Sequence, residues 1–396
     1  MQLRFTALNF ILWVGYTAAW PAYERSLHAG TGGIASVGPI LRRGAAPYSP
    51  QYPYTGALLD GQPGKGIGGI QVPAPGDTAH YYQHPPPGAQ RGPCPGMNTL
   101  ANHGFISRDG LTTFTELVAG MQNVWNVQWE LAVILAVLGI ATDGDPVTEM
   151  LSIGGAVTQQ IGKQGEFTGN YGGLDQHNAF ELDVSLTRDD FYLYGDAHTF
   201  NSTLFQMMAE TAAELHNGTP IFDFDAVALH RARRYNQSIA ENPWIVFPPG
   251  EIHNYGAGVF LFEAFPSSAR NMTPDLETVG SFFGAVPLSN GSYGSQPERI
   301  PQGWHNRVSP LNSSIIANGG QAQYDAYPVP FVIGYGNGSF LNMSPETLVG
   351  GCDTYNTAIS TAESSPNPVA TYEFVRRHLD PIFASEGCPN NATLPL

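Results

Sequence analysis

The chain has 396 residues, carries 33 acidic against 17 basic side chains, and is charged at only 13% of its positions, for a formal net charge of −16. Nucleic acid is excluded as a natural partner, because phosphates are held by clustered Lys and Arg that this composition does not supply. The length allows one large domain or two small ones, with room to bury a cofactor-sized cavity.

The N-terminus reads as a secretory leader. Met1 to Ala19 places one positive charge, Arg4, before the apolar run Phe5 to Val14 and a small-residue exit at Thr17-Ala18-Ala19. That run is too short for a membrane span. The expectation is a signal peptide over 1–19, an extracellular location and no stable membrane insertion. Nine Asn-x-Ser/Thr acceptors, at Asn201, Asn217, Asn236, Asn271, Asn290, Asn312, Asn337, Asn342 and Asn391, point to a glycoprotein. Residues 20–90, with Gly61-Gln62-Pro63-Gly64 and Pro85-Pro86-Pro87-Gly88, have little helical periodicity and read as an extended arm or removable pro-region. The organised domain is expected over 91–396.

Arg91-Gly92-Pro93-Cys94-Pro95-Gly96-Met97-Asn98-Thr99-Leu100-Ala101-Asn102-His103-Gly104 sets one cysteine between two prolines at the mouth of an expected helix. The prolines restrict the backbone on both sides of the sulfur, and a proline in the first turn gives up an amide the helix does not use. The remaining free amides and the helix dipole favour a thiolate. Such a sulfur can be a nucleophile, half of a disulfide or a metal ligand. Only Cys94, Cys352 and Cys388 are present, so one is unpaired or pairs with another molecule. Cys352 and Cys388 flank a helix-like segment, Ala370 to Ala384, and can close one stabilising disulfide loop. Cys94 is then the odd thiol, either a small buried core residue or one occupied by a metal.

Beyond Cys94 the pattern is mainly helical. Leu111 to Ile140 carries apolar residues at helical spacing and ends in the run Leu131 to Leu138, suited to a buried helix. Further helices are expected over Val147 to Ile161, Thr199 to His216, Asp223 to Glu241 and Thr273 to Phe283, with Asn217-Gly218 and Asn242-Pro243 closing two of them. The fold class is mainly α, a single domain with long irregular loops and little sheet. Within Gly172 to Asp190, the oxygens of Glu181 and Ser185, with the carbonyl of Leu182, could meet around a hard divalent cation; the alternative is a turn in which Asp183 and Ser185 cap the next segment.

Taken together, Pro93-Cys94-Pro95 and Glu181-Leu182-Asp183-Val184-Ser185 resemble the marks of the fungal heme-thiolate peroxidases, the chloroperoxidases and unspecific peroxygenases. Asn98-Thr99-Leu100-Ala101, His103-Gly104, Phe180, Thr187-Arg188, Phe200-Asn201 and the stretch Arg231 to Pro243 extend the resemblance, which runs over about residues 88 to 390 and into the terminal cysteine pair. It implies that Cys94 is the axial ligand of a heme b iron and that Glu181, Leu182 and Ser185 hold magnesium beside a heme propionate. It also implies a largely helical fold around the heme, with Phe180, Ala257 and Phe260 in the pocket. Hydrogen peroxide and a small organic substrate, apolar or aromatic, are the implied partners.

The sequence departs from this family where peroxide needs an acid–base group. The long-chain peroxygenases carry an Arg and a Glu seven residues apart after the Asn-Pro turn, and here Gly250 and Ala257 stand in those places. The shorter members use a His in Glu-His-Asp, and here that position is Leu182. His253, one helical turn before Ala257, is the candidate substitute, with a pKa suited to the task. Glu251 and Glu263 are others, whose side chains point elsewhere on a regular helix. Four readings follow: a secreted peroxide-using peroxidase or peroxygenase, a tailoring peroxidase of one secondary metabolite, a heme-binding pseudo-enzyme without peroxide activation, or a cysteine hydrolase for which no His partner of Cys94 is nominated.

Overall fold

The computed structural model describes residues 44–156, 172–177, 181–248, 255–343 and 352–388. The expectations for the leader over 1–19, for Phe180, for Glu251, for His253 and for Asn391 lie outside the described residues. The described chain is mainly α, as the periodicity indicates, with eleven α-helices and three small sheets. Among the described residues no helix is long and apolar enough to cross a membrane.

Helix α1 (Pro95–His103) begins with Cys94 as its N-cap and ends at Gly104, whose φ of 75° permits the left-handed cap. Strand β1 (Leu111–Thr113) leads into α2 (Phe114–Trp125), where Thr113 accepts from the Glu116 amide as a helix cap. Asn126, at φ 52°, stops α2, and α3 (Trp129–Asp143) follows. The single helix expected over Leu111 to Ile140 is therefore a strand and two helices. The break is built into Asn126: its Nδ2 donates to the carbonyls of Arg307 and Val308, both at 3.1 Å. The Gln128 amide donates to the Leu311 carbonyl at 2.7 Å.

Helix α3 is apolar on all sides because it is packed on all sides, against α2, against strand β2 (Met150–Ser152) and against the terminal pair α10 (Cys352–Ser364) and α11 (Pro368–Phe383). The helix expected over Val147 to Ile161 is corrected. Residues 150–152 pair antiparallel with β1, Leu111 opposite Ser152, and 157–161 lie outside the described residues.

After a short helix α4 (Phe191–Tyr194), α5 (Ser202–Leu215) and α6 (Phe224–Glu241) pack on each other as the periodicity indicates, capped by Asn201 and Asp223. Strand β3 (Val246–Phe247) precedes α7 (Ala257–Ala264), which rests on α6 and α9 (Ser313–Ala326). Helix α8 (Leu276–Phe283) is shorter than the expected Thr273 to Phe283, because Thr273 pairs with Ser267 and the cap falls on Asp275. The hairpin β4 (Ala285–Pro287) and β5 (Tyr293–Ser295) follows it. Strands β6 (Phe331–Gly334) and β7 (Phe340–Met343) complete a three-stranded sheet with β3. Cys352 and Cys388 form the disulfide expected of them and tie α10 to the end of α11.

One large apolar core runs from Leu100 and Phe105 through Val133 and Val137 to Phe282 and Trp304. A smaller one joins Val184 to Tyr235, Phe247, Tyr255 and Phe331. Residues 44–90 run extended yet lie against the helical body. The side chains of α2 hold them: Gln122 accepts from the Gly64 amide at 2.8 Å, and Asn123 donates to the Ala57 carbonyl at 2.8 Å. Trp129 Nε1 donates to the Gly61 carbonyl at 2.8 Å, and Tyr54 and Val72 are buried in the large core. Of the glycan acceptors described, Asn217, Asn236, Asn271, Asn290, Asn337 and Asn342 are exposed. Asn201 and Asn312 are half-buried helix caps.

Candidate active site

Cys94 is held by a polar lattice rather than by packing alone. The Asn98 side chain accepts from the Gly92 amide at 3.0 Å and donates to the Gly92 carbonyl at 2.9 Å, which fixes the turn before the sulfur. Asn98 also donates to Glu298 Oε1 at 2.9 Å, and Asn102 donates to the Glu298 carbonyl at 2.8 Å. Arg91 closes the other side with two hydrogen bonds to Asn102 Oδ1, at 2.9 and 2.8 Å. Two glycines are needed at close approaches. A Cβ on Gly92 would meet the Ile153 carbonyl at 2.1 Å, and one on Gly96 would meet the Trp125 ring at 3.1 Å.

The sulfur receives the amides of Met97 and Gly96, as a thiol at a helix start should. Burial pushes the Cys94 thiol above its usual range, while those amides and the Arg188 guanidinium pull the other way. A bound metal would favour the thiolate. It is the one cysteine outside the disulfide.

Cys94 opens into a cavity of about 280 Å³. Leu117, Met121 and Trp125 of α2 and Leu135, Ala136 and Gly139 of α3 make one apolar wall. Ala257, Phe260 and Ala264 of α7, with Phe265 and Phe283, make another. Glu181, Asp183, Ser185, Thr187 and Arg231 supply the polar exceptions, and Leu182 lies among them. The structure thus brings Cys94, Glu181, Leu182, Ser185, Ala257 and Phe260 to one space, although they span more than 160 positions of sequence. Glu263 is turned away, its carboxylate accepting from Arg307 at 2.8 Å.

The Glu181 loop is arranged around His177. His177 Nδ1 lies 2.9 Å from Glu181 Oε2 and its Nε2 lies 3.5 Å from Asp183 Oδ1. Burial opposes the imidazolium, but Asp183 and Glu181 outweigh it and raise its pKa to about 9. Asp183 in turn accepts from the Val246 amide at 2.8 Å and from Asn242. Val184 adopts φ 66°, a costly conformation for a β-branched residue. It is held there by its amide, donating to Asp190, and by its carbonyl, accepting from Arg231. His103 is structural: it bridges the His80 carbonyl and the Ile300 amide, and burial lowers its pKa to about 4.

These residues fit a heme. A cavity with mostly apolar walls contains one thiol aimed by two amides, which is what an iron–thiolate bond needs. They also offer oxygen donors for a hard cation, since Glu181 Oε1 has no hydrogen bond among the described residues while Oε2 is steadied by His177. No group of three or more His, Cys, Asp or Glu among the described residues forms a metal cluster, so that cation would depend on the Leu182 carbonyl and the Ser185 hydroxyl.

Sequence reasoning missed Arg231 as a wall residue and missed the Asn98–Glu298 link to the cysteine turn. The signal for the first was present: Arg231 and Arg234 fall in the buried stripe of α6 with Val227, Tyr235 and Ser238, not on a solvated face. The second joins residues 200 apart and leaves no local pattern.

The profile of the family described as "Peroxidase, family 2" matches residues 80–309, more than half of the chain, which therefore belongs to that family of heme-thiolate peroxidases. Membership implies heme. Relatives include an aromatic peroxygenase of Coprinellus radians, 42% identical over 168 residues, which are 42% of this chain and 62% of the relative. An aromatic peroxygenase of Cyclocybe aegerita is 33% identical over 209 residues, covering 52% of this chain and 55% of the relative. The dothistromin biosynthesis peroxidase dotB of Dothistroma septosporum is 32% identical over 234 residues, covering 57% of this chain and 55% of the relative. The chain thus spans little more than half the length of the curated relatives it matches.

Proposed function

We propose that this protein is a secreted, glycosylated heme-thiolate peroxidase or peroxygenase that uses hydrogen peroxide to oxidise or oxygenate apolar or aromatic organic molecules. The observation that carries this reading is the Cys94 thiol, aimed by the Gly96 and Met97 amides into a cavity walled by α2, α3 and α7. Cys94 would hold the iron, and Glu181, the Leu182 carbonyl and the Ser185 hydroxyl would hold magnesium. When bound, heme supplies peroxide chemistry at an iron whose thiolate ligand donates electron density and favours breaking the oxygen–oxygen bond.

The chain's own part is positioning, exclusion of water and proton handling. The Asn98 lattice fixes the sulfur, and Leu117, Trp125, Phe260 and Phe265 present apolar surface to a substrate. Ala257 has no proton to exchange, so the proton of bound peroxide is assigned to His253, with Glu251 as the other acid in that segment. The leader-like Met1 to Ala19 and the exposed asparagine acceptors support secretion and glycosylation. The relative dotB, a dothistromin biosynthesis peroxidase, supports the narrower reading of a secondary-metabolite tailoring peroxidase.

Ala257 also favours a second reading, a heme-binding protein that has lost peroxide activation. The Soret spectrum of the purified protein before and after rapid mixing with hydrogen peroxide separates the two. A thiolate-type spectrum that shifts on mixing and recovers as a donor is consumed is the expected result. The same spectrum that only bleaches slowly selects the second reading, and no Soret band after heme supplementation overturns both. His253→Ala should slow the peroxide-dependent shift by about a hundredfold; an unchanged rate removes His253 from the mechanism.

A further inference from the structure

Among the described residues Arg231 is a buried cation without a counter-ion. It is 4% exposed, it lines the cavity, and its Nη1 donates to the Val184 carbonyl at 2.6 Å. Its remaining neighbour is the Tyr255 ring, with Cζ 5.9 Å from the centroid. Among the described residues Nε has no partner, Nη2 has no hydrogen bond, and no carboxylate pairs with the guanidinium. Other buried arginines are compensated: Arg188 lies 3.9 Å from Glu298, Arg234 3.4 Å from Asp190 and Arg307 2.8 Å from Glu263. The acids that share the cavity with Arg231 each spend one oxygen elsewhere, Glu181 Oε2 on His177 and Asp183 Oδ2 on Val246 and Asn242, and neither forms an ion pair with the guanidinium.

A buried unpaired charge costs several kcal/mol, and arginine cannot escape that cost by losing its proton. The fork geometry says what would repay it. With Nη1 taken by Val184, the Nε and Nη2 edge remains, two parallel N–H groups that match the two oxygens of one carboxylate. A single cation of this kind balances a monoanion, whereas a phosphate dianion would call for further donors. The walls around it are apolar.

We propose that Arg231 is a carboxylate anchor in the cavity wall, which selects ligands that join an apolar body to one carboxylate. It rests on the cavity being the reaction site proposed above. Two carboxylates could reach it, that of an acid substrate and that of the porphyrin edge, and they are told apart as follows.

The test compares 4-phenylbutyrate with its methyl ester by titration calorimetry on the purified protein, and follows transfer of protoheme and of protoheme dimethyl ester to apomyoglobin. Arg231→Gln removes the charge and the fork but keeps an amide donor for Val184, and Arg231→Lys keeps the charge without the fork. If the substrate carboxylate is the ligand, the acid binds roughly ten- to a hundredfold more tightly than the ester, Arg231→Gln erases the difference and Arg231→Lys keeps part of it. If the porphyrin carboxylate is the ligand, acid and ester bind alike. Arg231→Gln then loses protoheme roughly tenfold faster or more, and the dimethyl ester at an unchanged rate. Equal binding of acid and ester together with unchanged protoheme transfer overturns the anchor. Calorimetry needs no heme signal, so a chain that takes up no heme overturns the peroxidase reading and leaves the acid–ester comparison to judge Arg231.

Discussion

The two walls of the cavity are built on opposite terms. Around Cys94, position is enforced by hydrogen bonds among near neighbours and one distant partner: Arg91, Asn98 and Asn102 close on one turn with Glu298. Around Ala257 the wall is methyl and phenyl surface from α7 and its neighbours, with Phe265 stacked on Phe282 at 4.5 Å behind it. A directed sulfur requires directional contacts, which penalise any substitution that leaves a buried partner unpaired. An apolar wall tolerates change in shape as long as volume is kept, so it is the side on which a substrate preference can drift.

That contrast can be broken from either side. The largest effect is expected for Cys94→Ala, which leaves the fold but removes the sulfur. Heme content, read from the Soret band of the purified protein, should fall by about a hundredfold or more, and peroxide-dependent oxidation with it. Asn98→Leu should come next, because it orphans the Gly92 amide and carbonyl and one oxygen of Glu298. A loss of about 3 kcal/mol is expected by urea denaturation, and a shifted Soret band should show the sulfur displaced.

Phe260→Ala tests the opposite wall. It should cost only about 1–2 kcal/mol, since the ring is half-buried, while shifting preference toward bulkier substrates in competition assays. Equal damage to heme binding from Phe260→Ala and Asn98→Leu would erase the distinction between the walls.

The smallest effect lies outside both. His378, 3.4 Å away, and then Arg377, which donates to it at 2.8 Å, hold the Glu149 carboxyl below the ordinary 4.5. The lowered value makes its contribution complete above that pH and lost as the pH falls through the folded-state value. Glu149→Gln should therefore cost about 0.5 kcal/mol near neutrality, with the difference from the parent closing in acid and in high salt.

How much of this was legible in the sequence depended on how local each cause was. The cap at Cys94, the all-round apolar α3 and the helices over Ser202–Leu215 and Phe224–Glu241 follow from neighbours within a few residues, and the sequence pattern shows them. Strand β2 does not, because its conformation is decided by pairing with β1, and an apolar run alone fits a helix equally well. The break at Asn126 is set by the carbonyls of Arg307 and Val308, 181 and 182 residues away. That Cys94, Glu181 and Ser185 line one cavity could be anticipated from motifs whose spacing is fixed along the chain, whereas the place of Glu298 exists only after folding.

The disulfide has a bearing on Cys94 that contact alone does not reveal. Three thiols can pair in three ways, and two of those pairings consume Cys94, the proposed iron ligand. Cys352 and Cys388 are separated by 36 residues, and Cys94 is 258 positions from the nearer of them. Chain closure alone favours the short loop by roughly twentyfold, and the α10–α11 hairpin then holds it closed. Topology thus keeps the Cys94 thiol out of a disulfide in any oxidising compartment. If Cys94 holds the iron as proposed, the fraction of molecules in a preparation that retain one titratable thiol sets an upper bound on the fraction able to take it up.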